Sequence, residues 1–157
     1  MANWRWVTVA AALLVGCGLF DSEGRKRVKY LLNDPDSAKF SGERPGAKKG
    51  DLCGYVNAKN RMGGYVGDTP FVYEAATGMA FIVSPPRRSD FQSYWLALVA
   101  RHDRDEQFKE LYMRCDAAER YNATCGQGVQ PYRLCDLMGK DRPGEFYEAL
   151  KAEFEGS

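Results

Sequence analysis

Apolar residues along the chain change their period several times, and each change marks an element. Residues 7–15 are apolar without a break except at Thr8. Val28, Leu31 and Leu32 recur at helical spacing within residues 23–32. Asn33-Asp34-Pro35-Asp36 ends that helix, because proline disfavours helical backbone in the residue before it and Asx residues favour turns. AKFS (residues 38–41) is a candidate short strand, and SGERPGAKKGD after it is a polar loop punctuated by glycine and proline.

From Leu52 the pattern alternates. Leu52, Gly54, Val56 and Ala58 share one face, and Cys53, Tyr55, Asn57 and Lys59 share the other, which is strand periodicity. NRMGG is a turn whose glycines are free to take positive φ. Tyr65-Val66 resumes the strand, GDTP turns or bulges, FVYEA continues, and TGMAFIV pairs back. Residues 38–83 thus predict an antiparallel meander of three or four strands. A helical half follows from SPPRRSDFQSYW, where Ser89 and Gln92 stand at capping-box spacing. Phe91, Tyr94, Trp95, Leu98 and Val99 form a stripe; RHDRD interrupts it, and Phe108, Leu111, Tyr112 and Cys115 resume out of phase. That pattern predicts two helices, or one kinked near Asp103. NATCGQGVQPYRLC is a loop held by cysteines, and Pro143 opens a last helix with Phe146, Leu150 and Phe154 four apart. The expected class is α+β: an N-terminal helix, a small antiparallel sheet, then helices packed on one sheet face.

The N-terminal run has a different meaning. Arg5 precedes it, and Gly16 and Cys17 close it. It is short of the ~20 residues that a spanning helix needs, and its order is that of a secretory signal. Leu14-Val15-Gly16-Cys17 resembles the lipobox of bacterial lipoproteins. The resemblance implies a signal peptide over residues 1–16, cleavage before Cys17, a diacylglyceryl group on the Cys17 sulfur and an acyl group on the new amino terminus. Two or three acyl chains, at ~0.8 kcal/mol per buried methylene, hold a protein at a membrane where one does not. Gly18 stands where an aspartate would mark retention at the inner membrane, so the resemblance places the chain at the outer membrane, on the inner leaflet facing the periplasm. Residues 17–24 would then be a lipidated tether and residues 25–157 a single domain, with a core over 25–117 and a cysteine-containing loop and C-terminal helix over 118–157.

Charge and cysteine content refine this picture. The chain has 22 basic and 21 acidic residues, and cleavage before Cys17 removes Arg5 and no acid, which leaves the mature chain balanced. Nucleic acid is not an expected partner, since that needs a strongly basic face. Cys53, Cys115, Cys125 and Cys135 remain after Cys17 is set aside. With no Cys-x-x-Cys and a single histidine, two disulfides in an oxidising compartment are expected in place of a metal site. Apart from the lipid on Cys17, no cofactor is expected.

DPDSAKF at 34–40 and CGYVNAKNRMGGYVGDTPF at 53–71 resemble a group of small exported bacterial proteins with the pattern DPxSAxF, a gap, then CGxVNxKNxxGGYxG and a phenylalanine. The resemblance covers about a third of the mature chain. It implies fold and export, and no chemistry. In many such chains a second cysteine follows an aromatic-rich helix, a role that fits Cys115 here. The expected pairing is Cys53–Cys115, tying sheet to helix, with Cys125–Cys135 closing the loop between them. Four cysteines allow three pairings, and Cys53–Cys125 with Cys115–Cys135 is the main rival. The chain continues past Cys115 for about forty residues, beyond the shorter members of the group.

Asn57, Lys59, Asn60, Arg61 and Tyr65 gather amides, cations and a phenol around a glycine-rich turn, which makes this hairpin the candidate binding surface. The competing expectation is that both asparagines bond their own backbone. Arg87-Arg88 and the acids Asp105, Glu106 and Glu110 are expected to be ordinary exposed charges, and His102 has no nucleophile partner that the sequence can place. No P-loop, H-E-x-x-H or G-x-S-x-G pattern is present. The expected function is a lipid-anchored periplasmic interaction module with a protein or cell-wall partner, such as an inhibitor, an immunity protein or an envelope-assembly factor. The alternative is an enzyme acting on peptidoglycan or another envelope polymer.

Overall fold

The computed structural model describes residues 22–126, 128–138 and 143–155. The expected signal peptide, Cys17 and the tether as far as Asp21 lie outside the described residues. Helix α1 (Glu23–Lys29) is capped by Ser22, whose hydroxyl accepts the Arg25 N–H at 3.2 Å. Glu23 and Gly24, expected in the tether, therefore belong to the fold. Gly24 is buried, and a Cβ there would come within 2.9 Å of Leu52 Cδ2. The missing side chain is what lets α1 settle on the sheet.

The sheet is an antiparallel meander in the order β1 (Lys39–Pro45), β2 (Leu52–Asn57), β3 (Thr69–Glu74) and β4 (Met79–Ile82). Phe40 stands opposite Val56, Cys53 opposite Val72, and Phe71 opposite Ile82. Strand β1 runs on past the expected AKFS into residues expected to be loop. A bulge between Ser41 and Arg44, with Gly42 at φ 58°, bends the strand and lets pairing with β2 resume. Its charged, proline-ended sequence suits an edge strand. The buried Asp51 carboxylate ties the two turns at this end, accepting the Lys48 N–H at 3.1 Å and the Ala75 N–H at 2.9 Å.

Both sheet faces are covered. Val28 and Leu32, in and just past α1, meet Val56, Phe71 and Phe40 on one face. On the other, α3 (Arg104–Cys125) lays Ala118 and Tyr121 against Val72 and Val83. A third cluster lies away from the sheet: Phe91, Tyr94 and Trp95 of α2 (Arg88–Ala100), Leu111 of α3, Leu134 and Met138 of the segment beyond α3, and Phe146, Leu150 and Phe154 of α4 (Pro143–Phe154). The break between α2 and α3 falls where RHDRD predicts it, with Arg101 and Asp103 both left-handed at φ 54° and 50°. The cap of α2 differs from the sequence expectation. The helix starts two residues early, and Asp90, not Gln92, reaches back to accept the Arg87 N–H at 2.7 Å.

The disulfides are Cys53–Cys125 and Cys115–Cys135, which corrects the expected pairing in favour of its rival. The reason is the length of α3. NATC, expected as loop, is its last turn. Ala118 and Tyr121 extend the apolar stripe, and burial of Tyr121 to 2% exposure outweighs the weak helix propensity of Asn122 and Thr124. Ten residue steps along the helix separate Cys115 from Cys125, about 15 Å of rise. Cys125 arrives at the sheet beside Cys53, and Cys115 stays in the helical cluster beside Cys135. The two crosslinks interleave along the chain and bind sheet, α3 and C-terminal segment into one unit.

Candidate functional site

The hairpin joining β2 to β3 is built by its asparagines. Asn60 Oδ1 accepts the N–H groups of Met62 at 3.0 Å and Gly64 at 3.1 Å, while the Asn60 N–H donates to Gly64 O at 2.8 Å. Asn57 Oδ1 accepts the Gly67 N–H at 3.1 Å. Gly63 and Gly67 take φ values of 81° and 94°; Gly64, next to Gly63, does not take positive φ. Asn57 and Asn60 are thus structural members of the loop, as the competing expectation has it, because an Asx side chain replaces backbone partners that a ladder would supply.

Lys59, Arg61 and Tyr65 stand apart from that framework. Lys59 and Tyr65 face each other across an antiparallel bridge. The Tyr65 ring, 45% exposed, has Lys59 Nζ at 5.7 Å from its centroid and Lys39 Nζ at 4.3 Å. An aromatic ring between two ammonium groups is held by cation–π attraction and presents both an apolar face and positive charge. Arg61 turns the other way, its Nε donating to Asn33 Oδ1 at 3.3 Å beside the end of α1. Of the five candidates, Asn57 and Asn60 build the turn, Lys59 and Tyr65 face each other, and Arg61 reaches the end of α1.

The two stretches that carry the resemblance to exported proteins meet here. Ser37 Oγ accepts the Lys59 N–H at 2.9 Å, and its own hydroxyl donates to Asp34 O at 2.8 Å within a 3-10 turn (Pro35–Ser37) capped by Asp34. Phe40 packs edge-on against Phe71 with centroids 5.5 Å apart. DPDSAKF is thus the buttress under the CGYVNAKN strand and its hairpin.

The remaining charged candidates serve the scaffold or lie in solvent. Arg88 pairs with Glu153 at 2.9 Å, and Arg133 and the Tyr132 hydroxyl also reach Glu153, so this carboxylate ties the start of α2 to α4. Burial alone would raise the Asp90 carboxyl, but the Arg87 N–H and the Arg114 guanidinium, 3.1 Å away, hold it below the ordinary carboxylate value. Asp105, Glu106 and Glu110 are exposed on α3, and His102 is exposed beside Asp103 at 2.8 Å.

Sequence reading passed over a cleft of about 380 Å³ beside Cys115–Cys135, lined by Tyr112, Asp116, Glu119, Asn122 and Asp136. The signal was available: Tyr112, Asp116 and Glu119 recur at i, i+4 and i+7 along α3. Its chemistry is limited. Asp116 is engaged by Arg120 Nε at 2.8 Å, and this bond, ahead of the cost of burial, raises the guanidinium further above its ordinary value. Arg120 also reaches Glu74 at 3.1 Å, which makes the pair part of the seam between α3 and β3. Asn122 holds the loop beyond α3 by donating to Val129 O at 2.7 Å and accepting its N–H at 3.2 Å. Among the described residues no group of three or more His, Cys, Asp or Glu is placed to hold a metal ion, and no helix is long and apolar enough to cross a membrane. No family model, curated protein or solved structure matches the chain.

Proposed function

We propose that the protein is a lipid-anchored interaction module of the bacterial envelope, tethered through Cys17 at the inner leaflet of the outer membrane, with a protein or cell-wall component as its partner. The observation that carries the address is the order Leu14-Val15-Gly16-Cys17 at the end of a short apolar run. The binding part rests on the hairpin: its backbone is pinned by Asn57, Asn60 and Ser37, and Tyr65 is displayed between Lys39 and Lys59. A rigid loop holding an aromatic anchor among cations suits a carboxylate-bearing partner, because the ring supplies contact area at low entropy cost and the ammonium groups supply the charge.

Two measurements test the two halves. Metabolic labelling with a palmitate analogue marks the wild-type chain in a lipoprotein-processing host and leaves Cys17→Ser unmarked; an unlabelled wild type overturns the anchor. Affinity capture from envelope extract is weakened by Lys59→Ala and Tyr65→Ala at unchanged thermal midpoint. Capture that survives both substitutions removes the hairpin from the binding surface.

A further inference from the structure

The display around Tyr65 continues onto the sheet. Lys39 of β1 stands opposite Asn57 of β2, and Ser41 opposite Tyr55, and directly opposed residues of an antiparallel pair point to the same face. Lys59, two residues beyond Asn57, is bridged to Tyr65, whose ring centroid lies 4.3 Å from Lys39 Nζ. Tyr55, Ser41, Lys39, Asn57, Lys59 and Tyr65 therefore form one strip. On this face α3 covers Val72 and is bonded to Cys53 through Cys125, and the strip beyond stays open, with Tyr55 38% exposed and Lys39 and Ser41 exposed beside it. Gly42 in the β1 bulge makes room for the first ring, since a Cβ there would come within 3.1 Å of Tyr55 Cδ2. Four residue steps from Tyr55 to Lys59 run about 13 Å, so the two rings stand well apart, with a hydroxyl and an amide between them. Asn57 Oδ1 is taken by the Gly67 N–H, which leaves its NH2 group to donate. Among the described residues neither Lys39 nor Lys59 is in an ion pair, and the exposed acids of the adjoining turns, Asp36 and Asp68, pair with neither.

We propose that this strip binds a linear glycan that bears carboxylates, laid along β2 from Tyr55 to Tyr65; at the address proposed above that polymer is peptidoglycan. The inference rests on the reading of the hairpin as a binding surface and chooses between its two kinds of partner. The side chains of the strip are two rings, two cations, a hydroxyl and an amide. Lysine is depleted from the desolvated centre of protein–protein interfaces, which argues against a protein. A sugar suits the strip better. Its ring has an apolar C–H face that packs on the flat face of a tyrosine, and a rim of hydroxyls and acetamido groups that exchanges hydrogen bonds with Ser41 and Asn57. The free ammonium groups of Lys39 and Lys59 add charge-assisted bonds to carboxylates carried along the polymer. The separation of the rings matches a ligand that extends over several units, since a single small sugar would reach only one of them.

The test uses the chain from Gly18 onward, which contains all three apolar clusters and both disulfides and lacks the lipidation site. Co-sedimentation is measured with purified peptidoglycan sacculi and with chitin, which offers amino-sugar rings without carboxylates. The protein pellets with sacculi, binds chitin about tenfold less, and is released from sacculi by salt. Tyr55→Leu and Tyr65→Leu keep an apolar side chain but remove the flat ring, and each weakens binding to sacculi by about fivefold at unchanged melting temperature. Lys39→Ala and Lys59→Ala bring binding to sacculi down towards that to chitin, and Lys109→Ala on the exposed side of α3 leaves it unchanged. Soluble poly-glutamate, which has carboxylates and no sugar, does not displace the protein. No pelleting with sacculi, equal binding to chitin, leucine variants that bind as the wild type does, displacement by poly-glutamate, or an equal loss from Lys109→Ala overturns the inference. Capture from envelope extract separates this failure from that of the binding surface itself. If Lys59→Ala and Tyr65→Ala lose capture while the wild type ignores sacculi, the hairpin binds a protein and the glycan alone is overturned.

Discussion

Replacing Cys53 and Cys125 together by alanine should cost more stability than replacing Cys115 and Cys135, and the difference follows from loop length. The first bridge closes a separation of 72 residues and the second one of 20. In the chain-entropy model the denatured state regains about 4.4 kcal/mol on losing the first and about 3.3 on losing the second. The gap of about 1 kcal/mol depends only on the logarithm of the length ratio. Packing is lost in both variants, because Cys53, Cys115 and Cys135 are all buried, so loop length carries the difference. Urea unfolding of the two double variants measures both numbers, provided the slope with denaturant stays that of the wild type. The pairing itself is read by tryptic mapping without reduction, since each cysteine falls on a separate peptide. Residues 50–59 should appear joined to 121–133, and residues 115–120 to 134–140. A linked pair of 50–59 with 115–120 would refute the connectivity and with it the helical last turn of α3. A loss below ~1 kcal/mol for Cys53→Ala/Cys125→Ala would refute the magnitude.

Three further outcomes follow from single side chains. Asn60→Ala removes two hydrogen bonds that hold the hairpin and should lower stability by about 1 kcal/mol, whereas Tyr65→Ala should leave the melting temperature nearly unchanged; calorimetry on the pair shows which residue is structural. Asp51→Ala strands two N–H groups at the buried end of the sheet, and about 2–4 kcal/mol should be lost in a denaturant titration. Asp90 has a folded pKa below its ordinary value of 3.8, so its contribution is present above pH 3.8 and lost as pH falls through the lower folded value. Asp90→Asn should therefore lower stability at neutral pH, and its melting curve should converge on that of the wild type as pH falls through that lower folded value.

Local pattern determined much of this protein. Alternation from Leu52 onward placed β2. The glycine- and Asx-rich turns separated the strands of the meander, and the stripe of Phe146, Leu150 and Phe154 located α4 and its buried face. Each of these rests on neighbours a few residues apart, where side-chain period and turn chemistry act directly. The hairpin candidates were also legible as residues, but not their division into framework and display, because Asn57 and Asn60 could be assigned to either until their backbone partners were seen. Contacts between distant segments settled the rest. Strand β1 lengthened because β2 offers it pairing partners across a bulge. Helix α3 lengthened because Tyr121 finds a buried place on Val72, and that extra turn re-paired all four cysteines. The groove shared by Leu31 and Val66 joins residues some thirty positions apart, brought together where α1 ends beside the hairpin. No window of sequence holds both, and burial energy, which is non-directional, becomes specific only once the elements meet.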